Sequence, residues 1–266
     1  MSRPVDLGRL GYRAVNGAIL FFMLAPLAVV LVFALNPTPY IHFPPVGVSL
    51  RWFEKFFASD DFMRALWLSL RVAAAVVVLA TVIGAACALA LARGRLPAAR
   101  VLTAVFMSPL MLPAILTGLA LFQLFILSGV GRPVWGLIIG HTLVAVPYVL
   151  RTTLAVLHNF DTRIEEAAAS LGASPARVFR EVTLPLIRPG VIAGGIFAFI
   201  VSFDQFPISL FLVLPKGETL PVVLFNYIKF DLDGAIAAAS MVSIVMALAV
   251  VLLLERLIGL KAYVKL

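Results

Sequence analysis

The chain has 266 residues, 62% hydrophobic and only 13% charged, with a mean hydropathy of +1.09. That balance excludes a soluble globular domain and points to an integral membrane protein. The net charge of +8 is spread over short connections and tails rather than gathered in a patch, which excludes nucleic acid as a partner, and the single Cys87 excludes an internal disulfide.

Six apolar runs follow in chain order, at residues 14–35, 66–92, 101–128, 134–156, 187–214 and 234–254. Each can cross a hydrocarbon core of about 30 Å as a helix rising about 1.5 Å per residue. Helix is expected because the backbone must satisfy its own hydrogen bonds in lipid. The expected organisation is one transmembrane domain over residues 1–266, all-α, its first run too long for a cleaved signal and read as an anchor. The connection at 36–61 is stiffened by Pro37, Pro39, Pro44 and Pro45, and its Trp52 and Phe53 suit a membrane interface. The turn at 93–97 is short, so the second and third runs should be antiparallel neighbours. The stretch 215–233 holds an apolar run at 222–228 that is too short to span. It reads equally as an interfacial or re-entrant helix and as a plain connecting helix.

Orientation follows from the basic residues. With both termini in the cytoplasm, that side holds fourteen of the 21 lysines and arginines, among them Arg3, Arg9, Arg93, Arg163, Arg177 and Arg188. The asymmetry predicts N-in, C-in. It also places the polar loop at about 161–185, between the fourth and fifth runs, in the cytoplasm.

That loop is the most informative segment. Thr162 and Glu165 have the spacing of a capping box, and Asp161 adds negative charge at the same helix start. Ile164, Ala167, Ala168 and Leu171 make an apolar stripe on one helix face. Gly172 stands where a left-handed cap is wanted, Ser174-Pro175 restarts a helix, and Pro185 is expected to end it. Read this way, the segment is two short helices with a glycine elbow. It serves either as a surface hairpin holding spans together or as a docking element.

The run Glu166-Ala167-Ala168, three residues, Gly172, nine residues, Val182, Thr183, Leu184-Pro185 resembles the EAA loop of the membrane-spanning subunits of bacterial ABC importers. The likeness extends over most of residues 66–254, and within the family it is closest to the spermidine/putrescine type. Pro109, Pro113 and Gly118, Gly140-His141-Thr142 with Pro147, and the segment from Ser202 to Ser209 carry it. Where relatives often have a second acidic residue after Asp204, this chain has Gln205. The resemblance implies a type I importer permease in a bacterial inner membrane. It implies as partners a second permease subunit, two ATP-binding subunits that hydrolyse ATP, and a periplasmic binding protein that delivers the solute. It implies that Glu165, Glu166, Ala167, Ala168 and Gly172 couple to the ATPase, with Leu184 and Pro185 fixing the loop's exit.

Asp204 is the one carboxylate well inside a run. A charge at bilayer depth costs about 2.5–3.5 kcal/mol on insertion scales, so it should face a polar pathway or a partner. Pro207 should free the carbonyl of Phe203 one turn earlier, and Phe203 and Phe206 offer faces to a cation. With Gln205 these are the candidate pathway residues. His141 reads as a hydrogen-bonded packing residue, and nothing in the spacing of Gln123, Asn226 and Tyr227 singles them out. No Gly-Lys pair for a phosphate-cradling loop, no metal-ligand cluster and no nucleophile motif occurs, so no catalytic centre, metal or cofactor is expected. A small cationic solute such as a polyamine is the first expectation. Amino-acid-like or aminophosphonate solutes stand behind it, and an ion-coupled secondary carrier is the reading from another class.

Overall fold

A computed structural model describes residues 7–40, 44–94, 96, 98–159, 161–213, 217–231 and 233–258, without the side chains of residues 7, 8, 10, 254, 255, 257 and 258. The helices are α1 (Leu7–Leu35), α2 (Arg51–Ala58), α3 (Asp60–Arg93), α4 (Ala99–Met107), α5 (Ala114–Leu127), α6 (Val134–His158), α7 (Arg163–Ser170), α8 (Pro175–Val178), α9 (Leu184–Phe203), α10 (Phe206–Leu212), α11 (Leu220–Phe230) and α12 (Gly234–Ile258). Among the described residues, five stretches are long and apolar enough to cross a membrane: Gly11–Leu35, Asp60–Arg93, Val134–His158, Pro175–Phe203 and Gly234–Leu253.

The third expected span is not continuous. Ala99–Leu110 and Ala114–Leu127 meet at 96° and make a sixth span only as a broken one. Pro113 has no N–H to continue the ladder and disfavours helical geometry in the residue before it, so a new helix starts after it. Proline alone does not decide the matter, since Pro26, Pro147 and Pro189 all sit inside unbroken helices. In the 215–233 connection the short helix is α11.

The chain divides into two compact units. One comprises the described residues of Met1–Met63 with Leu224–Met246. Its core joins Ala34, Trp52, Ala235 and Ala238. Trp52 packs within this core, 2% exposed, and the carbonyl of Asn36 accepts its indole N–H at 2.7 Å. Lys55 Nζ lies 2.6 Å from Asp233 Oδ2 and 2.9 Å from the Tyr227 hydroxyl. Asp233 Oδ1 accepts the Ala235 N–H at 2.9 Å and so caps α12.

The other unit comprises Arg64–Val223 with the described residues of Ala247–Leu266. Its centre is the antiparallel pair α6 and α9. Lipid tails are as apolar as the helices, so close approach through small residues, rather than hydrophobicity, holds such a pair. Gly194 makes that approach possible: a Cβ there would stand 2.6 Å from the Cα of Val149. Val149, Ala145, Val76, Ala198 and Ile208 fill the main core, and Leu150, Ala88 and Ile187 a second one nearer the α7 end of α9.

Candidate functional site

The polar loop folds as a hairpin around Gly172. The glycine has φ +85°, the Ala173 N–H reaches the Ala168 carbonyl at 3.2 Å, and the Gly172 N–H reaches Ala169 at 2.9 Å. This is a Schellman cap, so the elbow forms as the sequence predicts. Ser174 then caps α8 by accepting the Arg177 N–H, with Pro175 in the first turn. Two expectations fail here. Thr162 is helical and caps nothing with its side chain; Asp161 Oδ1 instead accepts the Arg163 N–H at 3.0 Å. Nor does Pro185 end the second helix. A π turn, Phe179–Thr183, lets the Leu184 N–H reach back to the Phe179 carbonyl, and the helix runs on through Pro185 into α9. Only α7 is therefore a separate short helix.

Glu165 explains the missing capping box. Its carboxylate turns inward, with Oε1 2.7 Å from Arg93 Nη1 and bonded by the Thr183 hydroxyl. The bond to the guanidinium has charge on both partners, whereas a cap would set the carboxylate against a neutral N–H. Glu166 and Ala167 are exposed, Ala168 is half-buried, and Leu171 is 90% exposed. Ile164 and Phe179 are exposed as well, and add apolar side chains beside Glu166 to the hairpin. Behind it, a cleft of about 470 Å³ is lined by Arg93, Glu165, Glu166, Ala173, Phe179 and Thr183, among others. Leu184 and Pro185 stand exposed at the foot of α9.

The second place lies at the other end of α9, about 30 Å away for twenty residues of helix. There α9 stops at Phe203, Asp204 and Gln205 leave the helix, and α10 restarts at Phe206. Pro207 does not break a continuous helix, as expected, but sits in the first turn of a new one, where a missing N–H costs nothing. Asp204 is exposed, and among the described residues no side chain pairs with it. Gln205 is buried, Phe206 is half-buried, and Phe203 is buried and stacked on Phe199 at 5.6 Å.

His141 secures this break from α6. Its Nδ1 lies 3.0 Å from Ser202 Oγ and its Nε2 3.0 Å from Ser209 Oγ, one serine on each side of the gap. The histidine is 1% exposed. It is the hydrogen-bonded packing residue the sequence suggested, but its partners were not legible there. On the opposite side α5 closes in at Gly118, where a Cβ would stand 3.0 Å from the Cα of Ile208.

A chain with broken apolar spans and a hairpin at the root of one of them matches, over residues 80–259, the family described as binding-protein-dependent transport system inner membrane component. The chain belongs to that family. The spermidine/putrescine transport system permease protein PotC of Haemophilus influenzae is 32% identical over 78% of this chain and 80% of that protein. The molybdenum transport system permease protein ModB of Mycobacterium bovis is also 32% identical, over 79% and 87%. Among solved structures, a bacterial ABC transporter involved in the import of the acidic polysaccharide alginate shares the fold, with TM-score 0.73 at 16% identity. That match covers 96% of this chain and 98% of the other. The protein is thus an ABC importer permease subunit with the type I fold, integral to the inner membrane.

Proposed function

We propose that the chain forms part of the translocation pathway for a small cationic solute, of the polyamine class, and that its α7 hairpin couples it to a separate ATPase. The observation that carries the solute reading is Asp204. It is a carboxylate at a helix break within a span, exposed and without a side-chain partner among the described residues. Left toward lipid, it would cost about 2.5–3.5 kcal/mol, so it belongs on a watered path or against a partner subunit. A cation moving past gains from it; an anion does not. The relative named for spermidine and putrescine supports this sign of charge, while the molybdenum relative marks how far solutes diverge within the family. Gln205, buried and neutral, adds no second charge beside Asp204 at the break.

The coupling reading rests on Glu166, Ala167, Ala168 and Leu171, an amphipathic surface held by the Gly172 cap and joined directly to a span. Two ATP-binding subunits, a second permease and a periplasmic binding protein complete the assembly. Both termini face the cytoplasm, following the excess of basic residues on that side. ATP is hydrolysed on the partners, and this subunit transmits the motion.

The test is reconstitution with the neighbouring subunits and titration of the binding protein with putrescine, spermidine, neutral amino acids and aminophosphonates. ATP-dependent uptake of a polyamine, competed by other diamines and not by neutral amino acids, is the expected result. Uptake restricted to a neutral or anionic solute overturns the solute reading. Uptake that is independent of ATP overturns the coupling reading.

A further inference from the structure

We propose that Glu165, Arg93 and Thr183 form an internal linkage that delivers movement of α7 to two spans at once, and that Glu165 is not itself an ATPase contact. The proposal deepens the coupling reading above and rests on it.

The geometry separates two adjacent glutamates. Successive residues on a helix point about 100° apart. Glu166 is exposed on the open face of α7, whereas the Glu165 side chain is 16% exposed and faces the body of the subunit. There Glu165 Oε1 meets Arg93 Nη1 at 2.7 Å, Arg93 Nη1 reaches Thr183 Oγ1 at 3.4 Å, and the Thr183 hydroxyl donates to the same carboxylate oxygen. Each member comes from a different element. Glu165 is in the second residue pair of α7, Arg93 is the last residue of α3, and Thr183 closes the π turn from which α9 grows.

Three further observations make this more than a surface ion pair. Thr183 is 1% exposed, so its hydroxyl has little access to water and the carboxylate is its acceptor. The π turn is a rare local geometry, frequent at functional sites, and it ends on the residue that enters the cluster. Glu165 also forgoes the cap its spacing allows, which leaves the start of α7 to Asp161. Helix α7 itself is otherwise lightly attached, with none of its residues buried. Without the cluster, a push on α7 would be absorbed by the glycine elbow rather than passed to α3 and α9.

The linkage predicts a defect in transmission rather than in docking. Wild type, Glu165→Gln, Arg93→Gln, the double variant of these two, Thr183→Val, the exchange Arg93→Glu with Glu165→Arg, and Glu166→Lys are compared in the complex reconstituted in lipid. Two quantities are read: ATPase retained on co-purification, and solute transported per ATP hydrolysed. Glu165→Gln and Arg93→Gln should keep the ATPase bound but lower transport per ATP about tenfold, the double variant should fall no further, and the exchange should recover much of the loss. Thr183→Val keeps the side-chain shape and should show the same defect in weaker form; it decides the matter if the charge variants fail to insert. Glu166→Lys should instead lose the ATPase.

If Glu165→Gln releases the ATPase as Glu166→Lys does, Glu165 is a docking contact and the linkage is wrong. If Glu165→Gln, Arg93→Gln and Thr183→Val all transport with wild-type stoichiometry, the linkage is likewise wrong, while the coupling reading stands on Glu166. If Glu166→Lys also leaves docking and transport unchanged, the coupling reading itself falls.

Discussion

His141 Nδ1 lies 3.0 Å from Ser202 Oγ, in the last turn of α9 before the helix stops. Because Nε2 holds Ser209 at the same distance, one imidazole fixes both lips of the gap that carries Asp204. Hydroxyls donate or accept as needed, so either neutral tautomer is satisfied. The orphaned serines of a His141→Ala variant can turn to carbonyls of their own helices. Side-chain hydrogen bonds between membrane helices average only about 0.6 kcal/mol, so the loss of thermal stability should come mainly from the cavity the imidazole leaves. Transport per assembled complex should fall much further, because the aim of Asp204 is no longer set. His141→Gln, which keeps a donor and an acceptor, should recover part of it. A stability loss large enough to account for the whole transport defect would reduce His141 to packing alone.

Gly172 offers a cleaner substitution. Nothing lies within 4 Å of a Cβ placed there, so the only obstacle to a side chain is φ +85°. The left-handed conformation costs an L-residue about 1–2 kcal/mol, less for asparagine and more for a β-branched residue. Gly172→Val is therefore expected to disorder the hairpin and weaken ATPase association, while Gly172→Asn retains most of it. Co-purification of the ATPase with the two variants measures the difference. Equal retention in both would mean that the cap does not hold the docking surface.

The spans and the Gly172 elbow were legible because each depends on local chemistry: apolar length, and one position needing φ > 0. The breaks were less so. Pro113 and Pro185 look alike in sequence, yet a new helix starts after the one, while the other is carried through by a π turn that ends two residues upstream. Which outcome holds depends on whether neighbouring elements can use the broken geometry. By spacing alone Glu165 is half of a capping box, because Thr162 is three residues away in sequence. Arg93, 72 residues away, wins that carboxylate in space. Ser202 and Ser209 were on view in the span-five segment, but that they converge on His141 is a fact of helix packing that no spacing rule contains.

At the other unit, burial alone would push the Asp233 carboxyl up. Hydrogen bonds from Lys55, the Ala235 N–H and Tyr227 outweigh that and hold it below the usual carboxylate value. A depressed folded value means that the stabilisation is present above the unfolded pKa and is lost as pH falls through the folded one. Lys55 is half exposed, so the pair contributes about 1 kcal/mol or less. Thermal melting of wild type and Asp233→Asn should differ modestly at pH 7, and the gap should begin to close as pH falls below about 4, the ordinary carboxylate value. A gap that persists unchanged at pH 3 would show that charge is not what the residue contributes.

Asp204→Asn bears on transport most directly. The substitution keeps size and most hydrogen-bonding capacity but removes the charge. Since Asp204 pairs with no side chain among the described residues, the subunit should insert and fold as before. The ATPase should also stay bound, because the hairpin stands at the far end of α9, about 30 Å away. Loss of one favourable contact between charges, about 1.5–3 kcal/mol for a charged hydrogen bond, corresponds to a tenfold or greater fall in polyamine uptake. The quantity to measure is initial uptake rate per assembled complex, at several polyamine concentrations. If uptake instead tracks the amount of complex recovered, Asp204 serves assembly, and its carboxylate faces the second permease subunit rather than the solute.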